Sequence, residues 1–156
     1  MEGKQRLEAF LRDNKVGFQI HHHPEAFTAQ EVAAVEHLPG KVLGKVVVVA
    51  ADDELALVVL PAPSAVDLDK VAPALGAKAA RLAEESEFES RFPGCDTGAM
   101  PPFGNNSLYD VPVVVDRAVS EQDEVAFNAC THTDTVHLAY SDFARLVDPT
   151  VADVTD

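Results

Sequence analysis

Val42-Leu43-Gly44-Lys45-Val46-Val47-Val48-Val49 and Leu55-Ala56-Leu57-Val58-Val59-Leu60 flank a short polar segment, Ala51-Asp52-Asp53-Glu54. Both runs are apolar on both faces and rich in valine, which reads as a pair of strands buried on both sides. The acidic segment reads as the hairpin connection between them. Pro61 and Pro63 stop the second strand, because proline has no N–H to give a ladder. Lys45 stands out inside the first strand: its ammonium must snorkel to water or meet an anionic partner. Gly44 beside it leaves room for a close approach to the backbone.

Upstream of the hairpin, Leu7, Phe10 and Leu11 lie at helical spacing between Lys4 and Asn14. Val16, Phe18 and Ile20 then alternate as in a strand. His21-His22-His23-Pro24 follows. Adjacent strand residues point to opposite faces, and no nearby Cys or acidic residue completes a ligand set. The reading is therefore a strand end with His23 turned inward and no metal. Thr28-Ala29-Gln30-Glu31 is a capping box that starts a helix through Val35, ended near Pro39-Gly40.

Downstream, Asp67 to Leu75 reads as a helix closed by Gly76. Ala79 to Leu82 suits a small strand. Glu84 to Phe92 reads as an acidic helix with Phe88 and Phe92 on its core face. Leu108 to Val115 is a strand that tolerates Pro112 only at an edge or bulge. Val125–Cys130 and Thr135–Ala139 form a hairpin across Thr131-His132-Thr133-Asp134, and Ser141 caps a last helix through Val147. From Pro149 the tail, 149–156, is polar and reads as loose.

No repeat or long linker divides the chain, so residues 1–156 read as one domain. Strands outnumber helices and do not alternate regularly with them. The fold class is α+β: a mixed, mostly antiparallel, barrel-like sheet with helices packed outside.

Between the acidic helix and the strand that follows lies Gly98-Ala99-Met100-Pro101-Pro102-Phe103-Gly104. Glycines permit backbone angles closed to other residues, while prolines fix φ and remove donors. Met100 and Pro101, each preceding a proline, are pushed towards extended conformations. The expectation is a stiff bend with bare carbonyl oxygens, suited to the wall of a small-ligand site because ordering it on binding costs little.

The net charge is −14. Such a body repels nucleic acid at long range, so a nucleic-acid partner needs a local basic patch. Lys41, Lys70, Lys78, Arg81 and Arg91 are the candidates for that rim. No apolar run approaches ~20 residues, so no membrane span is expected, and the N-terminus opens on a charged helix pattern rather than a signal peptide. Cys95 and Cys130, far apart in sequence, carry no evidence of a disulfide and suggest a reducing compartment. The expected location is the cytoplasm.

His132 sits at a polar hairpin tip, and Asn128 and Cys130 share a strand face opposite Phe127. Cys130 has no neighbouring base in sequence to make it a nucleophile. The Gly-x-Ser-x-Gly elbow, the Gly-x-x-x-x-Gly-Lys phosphate loop and the His-Glu-x-x-His zinc motif are all absent.

Taken together, these stretches resemble the YbaK family, the prolyl-tRNA synthetase-associated editing domains that hydrolyse misacylated tRNA. The matching features are His23 with Thr28-Ala29-Gln30-Glu31-Val32-Ala33, Lys45 opening the valine strand, and Leu60-Pro61-Ala62 with Val66-Asp67-Leu68. Gly98-x-x-x-Pro102 continuing to Phe103-Gly104-Asn105 follows, and then Phe127-Asn128-Ala129-Cys130-Thr131-His132-Thr133. The chain departs from the pattern at Cys130, where relatives usually carry Gly, and in a loop at Asn105-Asn106-Ser107 about two residues longer than usual.

The resemblance implies Lys45, Gly98 and His132 as catalytic residues. It implies His23, Thr28, Met100, Pro101, Pro102, Phe103, Asn128 and Thr131 as substrate-binding residues, with no metal and no cofactor. The partner it implies is the 3′ end of an aminoacyl-tRNA, assisted by a synthetase or elongation factor. In such a scheme Lys45 binds a phosphate or carbonyl oxygen, N–H groups near Gly98 serve the oxyanion, and the carbonyls of Met100 and Pro101 take the α-ammonium. His132 orients a water or hydroxyl. Two other readings stand beside this one: a non-catalytic module binding an amino acid, nucleotide or protein in the same pocket, and a zinc hydrolase using the histidines.

Overall fold

The computed structural model describes residues 3–156. The valine hairpin forms as read: β2 (Gly44–Ala51) pairs antiparallel with β3 (Glu54–Pro61), Lys45 opposite Leu60. Its two-residue turn puts Asp52 and Asp53 at φ 48° and 68°, the left-handed pair that matches the twist of the flanking strands. The Asp52 carboxylate accepts the N–H groups of Lys78 and Ala79 at 3.0 and 3.1 Å.

Around this hairpin grows a five-stranded sheet of order β4-β2-β3-β5-β8, with β4 at Ala80–Leu82, β5 at Val113–Asp116 and β8 at Thr150–Ala152. The β3–β5 and β5–β8 pairs are parallel, the others antiparallel. A three-stranded antiparallel sheet, β1-β7-β6, comprises β1 (Phe18–His22), β7 (Asp134–Ala139) and β6 (Glu124–Asn128). The Leu43–Ala126 bridge joins the two sheets.

The central strands β3 and β5 are buried on both faces, as their unbroken valine runs require, while the edge strands β4 and β8 stay largely exposed. Leu57, Val59, Val113 and Val115 face the main core, shared with Phe127, Val136 and Leu138 of the small sheet. Ala56, Val58, Leu60 and Val114 face a second layer with Val71 of α3 (Leu68–Ala74) and Val154. α1 (Gly3–Asp13) buries Leu7 and Leu11. Phe103, Phe127 and Phe143 of α6 (Tyr140–Val147) stack with ring centroids 5.0–6.3 Å apart, a spacing at which edge and tilted packing is favourable. No helix among the described residues is long and apolar enough to cross a membrane.

Several local expectations are corrected. The tail from Pro149 is not loose: β8 adds an outer strand, and Val154 is fully buried. The strand expected from Leu108 begins only at Val113. Asn105 and Asn106 turn left-handed, and Asn105 donates its N–H to Val111 at 2.7 Å, folding residues 104–111 into a loop. The acidic helix is one short turn, α4 (Glu85–Phe88), continued by a 3₁₀ turn at Glu89–Arg91, with Phe88 and Phe92 still buried. Ser141 does not cap α6; Ala139 holds that position, without a side-chain cap. A short helix, α5 (Arg117–Ser120), went unread; the Asp116 carboxylate caps it. Cys95 and Cys130 are joined as a disulfide, Cα to Cα 4.2 Å, contrary to the reading of two unpaired thiols.

Candidate functional site

Lys45 and Gly98 line the same cavity, about 480 Å³, with Asn128 and Phe27. β2 supplies Lys45, and the last residue of β6 supplies Asn128. α2 (Ala29–Val35) supplies the wall around its N-cap, Thr28. Lys45 is the one charged side chain among the described residues lining this cavity. Its ammonium donates to the Ser64 carbonyl, within the turn that follows Pro61. Partial burial pulls its pKa below the ordinary 10.5, so the charge is poorly solvated and ready to accept an anionic partner.

Gly44 is glycine for packing rather than for a ligand. A Cβ there would lie 2.6 Å from the Phe127 ring and 3.0 Å from Val59. Gly98 is glycine for its backbone: φ is +87°, and its Cβ position is open except for His132 Cε1 at 3.9 Å. The Gly98 N–H points to Met100 Sδ at 3.3 Å, a weak acceptor that an oxyanion would displace.

His132 stands beside Gly98, its ring 4.9 Å from Phe27. His132 Nδ1 and Asn128 Oδ1 are both buried and without a hydrogen-bond partner. Buried polar atoms are almost always paired in native proteins; of these two, Asn128 belongs to the cavity lining, whereas His132 stands behind Gly98 and Phe27 and does not line it.

Other sequence candidates fall elsewhere. Met100, Pro101, Pro102 and Phe103 are buried and do not line the cavity. The Pro101 carbonyl, expected to be bare, accepts the Phe103 N–H at 3.0 Å. His23 is buried outside the cavity, its N–H on Thr133 O. The Thr131 hydroxyl donates to Asp134 at 2.7 Å and so rigidifies the hairpin tip. Thr28 lines the cavity, but its oxygen already caps α2 by accepting from Glu31 N at 3.1 Å. None of the five proposed rim cations lines the cavity. Lys70 pairs with Asp153, Arg81 with Glu87, and Arg91 donates to the Asp110 carbonyl.

Phe27 was not singled out from sequence. It is 62% exposed at the cavity wall, and an aromatic beside a polar N-cap was the available signal.

The disulfide sits behind this site. Cys130 takes φ +71°, a conformation natural to glycine, and its N–H donates to Ala99 at 2.9 Å while its carbonyl accepts from Asp96 at 2.8 Å. The hairpin tip and the Gly98 bend are thereby fixed to each other.

Residues 23–146 match the family described as the aminoacyl-tRNA editing domain. The chain is 32% identical over 153 residues to the multifunctional Ser/Thr-tRNA deacylase ProXp-y of Escherichia coli (strain K12), covering 93% of this chain and 88% of that protein. It is also 32% identical over 106 residues to the proline–tRNA ligase of Shouchella clausii (strain KSM-K16), 68% of this chain but 18% of that protein. A solved structure described as a candidate trans-editing enzyme for prolyl tRNA synthetase superposes with a TM-score of 0.84 at 19% identity, covering 100% of this chain and 98% of that one.

Proposed function

Because the chain belongs to the aminoacyl-tRNA editing domain family, we propose that it is a trans-editing hydrolase that cleaves the ester joining a wrong amino acid to the 3′ end of a tRNA. The observation that carries this reading is one cavity that gathers a partly buried lysine, a left-handed glycine N–H and an unpaired amide oxygen.

An aminoacyl ester is already activated, so positioning and oxyanion stabilisation suffice. Lys45 binds a phosphate or carbonyl oxygen of the aminoacyl-adenosine end, exchanging the Ser64 carbonyl for an anionic partner. The Gly98 N–H turns from Met100 Sδ to the tetrahedral oxyanion; such a donor is worth ~2.7–4 kcal/mol in known cases. With the Pro101 carbonyl engaged internally, Asn128 Oδ1 takes over the α-ammonium. His132 Nδ1 holds the attacking water or a ribose hydroxyl, and Phe27 offers a face on which the terminal adenine stacks.

The same reading makes residues 1–156 one editing domain and its two sheets a partly open barrel around the phenylalanine core; the cytoplasm as its place of work then rests on the tRNA substrate, since the paired cysteines no longer argue for it. Binding is weak and salt-sensitive because the acidic body opposes tRNA. A synthetase partner that delivers the acceptor end offsets that repulsion.

The test is deacylation of purified tRNAs mischarged with serine, threonine or other small amino acids, chosen because the E. coli relative is named for Ser and Thr. Wild type should release the amino acid and Lys45→Ala should not. No release from any mischarged tRNA would leave a non-catalytic binding module, and full activity in Lys45→Ala would overturn the role of Lys45.

A further inference from the structure

A second polar cluster lies at the opposite end of α2 from the cavity. His21 of β1 and His137 of β7 stack ring on ring, 3.8 Å apart, and Glu36, the C-cap residue of α2, reaches both. Glu36 Oε1 is 3.0 Å from His137 Nε2 and 3.5 Å from His21 Nδ1. These three ligand atoms all lie within 4.8 Å of one another. The other carboxylate oxygen, Oε2, accepts the Thr135 hydroxyl at 2.6 Å and lies 3.4 Å from His23 Nε2.

The protons on these rings follow from their outer partners. His23 Nδ1 is 2.7 Å from the Pro24 carbonyl, which can only accept, so Nδ1 carries the hydrogen. In the neutral ring His23 Nε2 is then a bare lone pair. It is buried without a hydrogen bond, in a side chain 2% exposed, and it is aimed at a carboxylate. His21 repeats the arrangement: its Nε2 faces Gln19 Oε1 at 3.3 Å, leaving the Nδ1 lone pair towards Glu36.

Glu36 is 5% exposed, and among the described residues no Lys or Arg pairs with it. His137 Nε2 meets Glu36 Oε1 at 3.0 Å and the Thr135 oxygen at 2.9 Å, so without an ion it donates its N–H there. Among the described residues the buried carboxylate has this neutral donor but no Lys or Arg beside it, and a bound cation would take the place of that proton. Imidazole and carboxylate donors suit a first-row divalent cation, and near 2 Å from such an ion they sit at mutual distances close to those seen here.

We infer that His21, Glu36 and His137 bind a zinc-class divalent cation. His21, with 43% of its side chain exposed, and the groove it lines with Gln19, Glu124 and His137 give the ion a way in. The acidic body draws cations towards it. The ion ties the C-terminal end of α2 to the small sheet. The same helix starts at Thr28 in the cavity wall, so the cation braces the site from behind without entering the chemistry. His22, on the opposite strand face against Asp134 at 3.1 Å, takes no part.

The experiment is zinc retention by the full chain, freed of any affinity tag, after loading and desalting. Elemental analysis gives the stoichiometry, and thermal melts are run with and without the ion. One zinc per chain and a Tm that rises with zinc are expected, since a ligand that binds only the folded state stabilises it. His21→Gln and Glu36→Gln should each weaken binding by at least about tenfold, and His22→Gln should leave it unchanged. His21 is partly exposed, so its variant decides the matter even if Glu36→Gln folds poorly. No retained zinc in wild type, or retention unaffected by His21→Gln, would overturn the site.

Discussion

Cys130 donates its N–H to the Ala99 carbonyl at 2.9 Å from a left-handed backbone, φ +71°. An L side chain at that angle costs ~1–2 kcal/mol relative to glycine. The disulfide to Cys95, across 35 residues, holds it there. Two variants separate these effects, because both lack the cross-link. Cys130→Gly should be more stable than Cys130→Ala by about 1 kcal/mol, less than the full φ penalty because glycine gains more freedom in the unfolded chain. Denaturant midpoints measure the difference, and equal midpoints would show that the backbone relaxes out of the left-handed region.

Two glycines beside the cavity should fail for different reasons when changed to alanine. In Gly44→Ala the new methyl runs into the Phe127 ring. Overpacking of this kind costs ~1–3 kcal/mol, and Lys45 next to it is displaced. In Gly98→Ala space is ample, but φ is +87°; the loop shifts instead, and the N–H proposed for the oxyanion moves with it. Gly44→Ala should therefore lower Tm markedly and kcat secondarily. Gly98→Ala should lower kcat while Tm falls by less. The reverse pattern would exchange the two roles.

The valine hairpin and the Gly98 bend were legible in sequence because their signals are local: unbroken apolar runs and paired prolines. The cavity brings Lys45 together with Gly98 and Asn128, and chain order alone cannot show that closure. The family resemblance supplied it. What stayed illegible depended on partners far along the chain. Val151 and Val154 lie in a polar tail and become structured only because β5 offers an edge and Asp116 an acceptor. The His21–Glu36–His137 cluster joins Glu36 to a residue 101 positions further on, a closeness that the residues flanking the histidine run do not announce. At the bend, stiffness was legible but the inward turn was not: the Pro101 carbonyl, expected to be bare, accepts the Phe103 N–H, and the Met100 and Pro101 side chains are buried.

Phe27 presents most of its ring at the cavity wall and leans on His132 at 4.9 Å. If the terminal adenine stacks there, Phe27→Ala should lose ~1–3 kcal/mol of substrate binding, seen as a raised KM for mischarged tRNA. Phe27→Tyr should retain it. The exposed position predicts little change in Tm. An unchanged KM in Phe27→Ala would remove the adenine from this face.

Asp134 anchors the hairpin tip. Burial alone would raise its pKa, but the Thr131 hydroxyl, His22 and Lys4 outweigh that and hold it below the ordinary 3.8. The folded carboxyl therefore binds its proton less readily than the unfolded one. Its contribution to stability is present above 3.8 and is lost as pH falls below that value towards the folded pKa, because the unfolded state then takes up more protons. Asp134→Asn should lower Tm at neutral pH and flatten the acid limb of Tm against pH. A variant whose acid limb is as steep as that of wild type would assign the titration to other carboxylates.

The C-terminal strand supports the site as well as the sheet. Val154 is fully buried, its N–H on Asp116 Oδ1 at 3.0 Å and its carbonyl accepting from Asp67 at 2.8 Å. The Asp156 N–H donates to the Ala65 carbonyl at 3.1 Å, and the adjacent Ser64 carbonyl receives the Lys45 ammonium. Deleting residues 149–156 exposes the edge of β5 and removes a valine worth ~1.5–3 kcal/mol of burial. It leaves Asp116 Oδ1 without the Val154 N–H, while Oδ2 still caps α5, and frees the turn that aims Lys45. The truncated chain should melt several degrees lower. At temperatures where it is still folded it should deacylate more slowly, the loss shared between KM and kcat because Lys45 is misplaced rather than absent. A truncated chain with wild-type Tm would return the tail to the status of a loose end, and wild-type activity in a destabilised one would uncouple it from Lys45.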